Sequence, residues 1–181
     1  MFFEKLERKN ILRKIQIDCV LDIKAELGES PIWSTIDECL YWVDIIKGTL
    51  NKYNPNNNVN NHISFGKPIG CFALKKNGNI IAALTDGFFE FDIKKKSLHL
   101  IEDTEKEIKQ NRFNDGTVDA KGRFYAGTMP LNDPLATDKP KGSLYCLEQN
   151  KVTKIMDGFN IINGLAFSPD SKTAYVSDSA E

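Results

Sequence analysis

Apolar residues alternate with polar ones in short runs, and the runs recur as a repeating unit. One layout appears four times: a short apolar strand, a turn with Asp, Asn or Gly, then a second apolar or aromatic strand. The four segments are Ser30-Pro-Ile-Trp-Ser-Thr-Ile-Asp-Glu-Cys-Leu-Tyr-Trp-Val-Asp44, Cys71 to Leu84, Gly116 to Met129, and Gly164-Leu-Ala-Phe-Ser-Pro-Asp-Ser-Lys-Thr-Ala-Tyr-Val-Ser-Asp178. Their anchor residues Trp33, Ala73, Val118 and Phe167 lie 40, 45 and 49 residues apart. Asn77-Gly78 and Lys121-Gly122 supply the tight-turn chemistry of hairpins. A further strand pair follows each of the first three units: Thr49–Tyr53 with Asn61–Phe65, Gly87–Asp92 with Ser97–Ile101, and Ser143–Leu147 with Val152–Met156. Four strands per unit at this period predict an all-β propeller of four-stranded blades. About three and a half blades are present, because the fourth unit stops after its second strand.

No stretch carries a sustained helical period. Two readings are open for Glu102–Gln110, a single short helix or a charged loop. Asn132–Lys141 reads as a long polar loop. Residues 1–16 read as an N-terminal extension, with 17–181 an incomplete propeller. Three and a half blades would leave an open apolar sheet edge, so the expectation is a fragment or truncated product; an open propeller or an assembly of two chains is the alternative.

The repeat also predicts a site. Four residues before each anchor stand Glu29, Ile69, Asn114 and Asn163. Inner strands of a propeller line its axis, so matching positions near their starts converge on one mouth of the channel. A carboxylate and two amides meeting there suit a hard cation such as Ca²⁺, Mg²⁺ or Mn²⁺. Each position taken singly also fits turn capping; three in matched positions favour the metal. Arg112, two residues before Asn114, either reaches into the mouth to hold an anionic or polyhydroxylated ligand or is a surface charge. Asp115 is either a group behind the site or a turn residue.

Composition narrows the function. The 181 residues carry a formal net charge of −1, which gives no basic balance for nucleic acid or an anionic membrane. No apolar stretch is long enough to span a bilayer, and the N-terminus has no secretory signal pattern. Cys19, Cys39, Cys71 and Cys146 form no CxxC pair, sit beside apolar residues and read as reduced, buried thiols of a cytoplasmic protein. The two histidines, His62 and His99, fall on outer strands. HExxH, GxSxG and Walker patterns are absent, which argues against a histidine triad or a His-rich zinc site. No protein partner is indicated.

Leu27-Gly-Glu-Ser-Pro-Ile-Trp33, Asn111-Arg-Phe-Asn-Asp-Gly-Thr-Val-Asp119 followed by Gly122-Arg-Phe-Tyr-Ala-Gly-Thr-Met129, and Ile162-Asn-Gly-Leu-Ala-Phe-Ser168 together resemble the motifs of the SMP-30/gluconolactonase/regucalcin-like family. The resemblance implies a six-bladed propeller, one divalent ion (Ca²⁺, Zn²⁺, Mn²⁺ or Mg²⁺) at the channel mouth, and hydrolysis of sugar lactones such as gluconolactone. It implies that Glu29 and Asn163 are metal ligands. Asn114 would contact substrate beside the metal, and Arg112 would contact substrate. Some members carry a substrate-binding glutamate where this chain has Asn132. The family's third protein ligand, also its general base, is an aspartate in a later blade, beyond Glu181. The alternatives are a calcium-binding regulatory propeller without turnover, and an interaction propeller whose channel mouth is merely plugged.

Overall fold

In a computed structural model, the structure describes residues 17–131 and 141–179. They form fourteen antiparallel strands in four sheets, with no helix among the described residues. The first blade is β1 (Gly28–Ser34), β2 (Cys39–Asp44), β3 (Thr49–Asn54) and β4 (Val59–Ser64). The second is β5 (Ile69–Leu74), β6 (Ile80–Leu84), β7 (Gly87–Asp92) and β8 (Ser97–Glu102). The third is β9 (Asn111–Val118), β10 (Phe124–Pro130), β11 (Gly142–Glu148) and β12 (Lys151–Phe159). A two-stranded sheet of β13 (Ile162–Phe167) and β14 (Ala174–Asp178) follows. Every strand pairs with its sequence neighbour, so each sheet is a meander, and the innermost strands β1, β5, β9 and β13 lie side by side. This is the propeller arrangement expected from the repeat.

The alternation within a blade is set by burial on two sides. In β6, Ile80, Ala82 and Leu84 enter a core shared with the first blade, while Ile81 and Ala83 enter one shared with the third. A strand covered on both faces has no polar side, which is why Ile-Ile-Ala-Ala-Leu reads as a continuous apolar run. Aromatic rings fill the second core: Phe88 packs 4.8 Å from Phe113 and edge-on at 5.8 Å to Phe124. Pairs of this geometry add about 0.5–1.5 kcal/mol beyond the area they bury.

Close backbone approach between blades depends on glycine at one position above all. A Cβ on Gly70 would lie 2.4 Å from the Phe113 carbonyl, so β5 and β9 meet at backbone distance.

Residues Glu102–Gln110 take the loop reading. Beyond β8 they form turns, and Glu105 Oε1 accepts hydrogen bonds from Tyr145 Oη (2.9 Å) and Thr128 Oγ1 (3.0 Å). His62 and His99 are exposed on β4 and β8, as expected of outer strands. All four cysteines are free; Cys39, Cys71 and Cys146 are buried, but Cys19 is exposed, contrary to expectation. Its apolar neighbours Ile17 and Val20 are exposed too, at 88% and 68%, because this segment precedes the first strand and enters neither core of the described residues. Most of the loop expected over Asn132–Lys141 lies outside the described residues, as does the N-terminal extension.

Candidate functional site at the channel mouth

The inner strands share one irregularity at one level. Each is bulged near its start: β1 between Glu29 and Ile32, β5 at Gly70, β9 at Asn114 and β13 at Gly164. Bulges turn the strand and re-aim the side chains beside them. Contacts join these bulges from blade to blade. Ser30 Oγ donates to Gly70 O (3.4 Å), Gly70 abuts the Phe113–Asn114 backbone, and Asn114 Nδ2 donates to Ile162 O (3.0 Å). Ser30, Gly70, Asn114 and Ile162 thereby form a continuous arc around one mouth.

The bulges refine the equivalence drawn from the sequence. Glu29 and Asn163 are true counterparts: each is the last residue before its bulge and is followed by a left-handed residue, Ser30 (φ 52°) or Gly164 (φ 77°). Asn114 is one place out of step. It is the bulged residue itself, matched by Gly70 and Gly164, and the counterpart of Asn163 on β9 is Phe113.

Arg112 is a mouth residue. Its Nη1 donates to Asn114 Oδ1 (2.9 Å) and to Phe113 O (2.9 Å). Burial lowers its pKa from the ordinary guanidinium value, and the negative charge of Glu29 opposes the shift. Two blades thus bring Glu29, Arg112 and Asn114 within electrostatic reach. Asn163 follows Ile162, whose carbonyl Asn114 holds. Asn132 lies outside the described residues.

Asp115 is more than a turn residue. Its Oδ1 accepts Gly116 N (2.7 Å), and its Oδ2 accepts Gly164 N (2.7 Å) from the next blade.

Two carboxylates passed over in the sequence prepare the mouth. Asp44 accepts N–H bonds from Glu26 (2.9 Å), Leu27 (3.3 Å) and Lys47 (3.3 Å), which fixes the backbone just before Glu29. Burial raises its pKa, but these N–H bonds and the Lys47 charge outweigh it and hold the carboxyl below its ordinary value. Asp178 does the same before Asn163, accepting from Asn160 N (2.7 Å) and Ile161 N (2.8 Å). Both close the second strand of their unit in a Tyr-x-x-Asp run, Tyr41–Asp44 and Tyr175–Asp178, and the second and third units have no such run.

The donor set fits a hard divalent cation. Among the described residues no hydrogen bond or ion pair engages the side chains of Glu29 or Asn163, which leaves a carboxylate and an amide oxygen to coordinate. Such oxygens suit Ca²⁺, Mg²⁺ or Mn²⁺. No group of three or more His, Cys, Asp or Glu able to hold a metal occurs among the described residues.

Comparison with known proteins bears on the same segment. A family model described as "SMP-30/Gluconolactonase/LRE-like region" matches residues 27–181. The chain is 36% identical over 163 residues to 6-deoxy-6-sulfogluconolactonase from Pseudomonas putida, covering 90% of this chain and 55% of that protein. It is 35% identical over 170 residues to regucalcin from Oryctolagus cuniculus, covering 93% of this chain and 57% of that one. Among solved structures it resembles the calcium-binding protein regucalcin of Agrobacterium tumefaciens with a TM-score of 0.78 at 27% identity, over 85% of this chain and 51% of that one. The chain therefore spans little more than half the length of the curated relatives it matches.

Proposed function

The chain belongs to the SMP-30/gluconolactonase/LRE-like family, and on that premise we propose that it serves metal-assisted hydrolysis of a sugar lactone. The observation that carries the reading is the Arg112–Asn114 pair standing beside Glu29 at the channel mouth. A site that only stores a cation has no use for a half-buried guanidinium, which repels the ion. A lactone ring studded with hydroxyls does, because a planar fork of N–H donors orients it.

In this reading Glu29 and Asn163 hold the ion, with Asn114 beside it. When bound, a divalent ion would supply Lewis-acid polarisation of the lactone carbonyl. The chain's own residues do the positioning. Arg112 donates to ring hydroxyls or to the carboxylate that develops as the ring opens. Asn114 is fixed by Arg112 at its oxygen and by Ile162 O at its nitrogen, which holds its amide rigid toward the substrate. Asp115 is engaged with the backbone instead, each of its oxygens accepting a short N–H bond. No described carboxylate is assigned the removal of the water's proton.

The test is an assay of the product of the complete reading frame on gluconolactone, with and without a chelator. Activity that is lost on chelation and restored by added Mn²⁺ or Ca²⁺ is expected. A rate unchanged by metal removal overturns the mechanism. The second reading, a calcium-binding protein without turnover, draws on the calcium-binding relative; metal binding with no hydrolysis of any lactone would establish it.

A further inference from the structure

We infer that Asp115 is a positioning residue for Asn163, a role that rests on the metal-assisted reading above. Two successive side chains of β9 straddle Asn163. Asn114 Nδ2 donates to the carbonyl of Ile162, the residue before it, at 3.0 Å. Asp115 Oδ2 accepts from the amide of Gly164, the residue after it, at 2.7 Å. The third blade thus grips the backbone on both sides of the proposed ligand.

The grip falls where the backbone needs support. Gly164 holds φ 77° at the bulge, and Ile162 and Asn163 pair with Asp178 and Ser177 just before it. The orientation of the Asn163 side chain depends on that bulge, since a bulge re-aims its neighbours. Strand pairing is interrupted there, so the Gly164 amide takes its acceptor from Asp115 instead of from β14. A charge-assisted bond to a carboxylate is roughly twice as strong as a neutral one. The other oxygen of Asp115 is held by Gly116 N at 2.7 Å, so the carboxylate cannot swing away. Asp178 fixes the approach to β13 at residues 160 and 161, and Asp115 fixes the exit at 164. Asn163 sits between the two clamps. Groups of this kind behind a metal ligand typically change affinity by about 10–100-fold when removed.

The experiment uses the product of the complete reading frame with Mn²⁺ as the probe. Mn²⁺ affinity is measured by electron paramagnetic resonance, and exchange of the Gly164 amide is followed by NMR, in wild type, Asp115→Asn and Glu29→Gln. Asp115→Asn is expected to weaken Mn²⁺ binding by about 10–100-fold and to speed exchange at Gly164 in the metal-free protein, with a native spectrum elsewhere. Wild-type Mn²⁺ affinity in Asp115→Asn, together with loss of binding in Glu29→Gln, overturns the positioning role and leaves the metal reading standing. Weakened binding with Gly164 still protected assigns the effect to charge alone and also overturns it. A lowered melting temperature with unchanged affinity does the same. Absence of Mn²⁺ binding by the wild type overturns the metal reading, and this inference with it.

Discussion

Strands β1 and β5 hold the same place in successive blades, yet they live in different surroundings. Both are inner strands, both are bulged near the start, and both pair with the next strand through a short turn. In β5, Ile69, Cys71, Phe72 and Ala73 are all at most 6% exposed. In β1, Trp33 is 51% exposed, and Ile36 in the following turn is 84% exposed. Among the described residues the difference comes from neighbours: β5 packs closely between β1 and β9, whereas β1 packs mainly against β5. The last sheet is like the first, with Tyr175 60% exposed on β14. Local sequence therefore builds the blade, and the adjoining blades decide how much of it is buried. The site follows the same division. Glu29 and Asn163 lie on these two sheets, while Arg112, Asn114 and Asp115 lie on β9 between them.

Truncating the central strand should cost most. Phe72→Ala removes a ring that is 1% exposed and is expected to destabilise by about 3–5 kcal/mol in urea unfolding. Gly70→Ala comes next. Its new methyl would meet the Phe113 carbonyl at 2.4 Å and push β5 off β9, for an expected loss of about 1–3 kcal/mol. Trp33→Ala on the half-exposed flank should cost least, about 1 kcal/mol. A Trp33 effect equal to that of Phe72 would mean that β1 is covered in solution, and the contrast between the strands would fail.

The strand plan was legible because its causes are local. Period-2 alternation, Asn77-Gly78, Lys121-Gly122 and the aromatic runs mark hairpins without reference to the rest of the chain. The bulges were not legible. Inserting Asn114 into β9 leaves the apolar pattern intact, since Phe113 still enters the core, so a count along the sequence set Asn114 level with Asn163 when the pairing sets it one place later. The inter-blade bonds of Asp115 were equally hidden, because they depend on where β13 passes β9. Asp44 and Asp178 left a trace in the paired Tyr-x-x-Asp endings, found only in the units that carry Glu29 and Asn163. Cys19 misled because apolar neighbours in sequence are a poor guide to burial outside the strands.

The central claim is that Glu29 and Asn163 present their oxygens to one point at the mouth, with Asn114 alongside. Anomalous diffraction from a crystal soaked in Mn²⁺ tests it directly. The account predicts a single strong peak roughly 2.1–2.6 Å from a Glu29 carboxylate oxygen and from Asn163 Oδ1. A peak elsewhere on the protein, or none at the mouth, would contradict it.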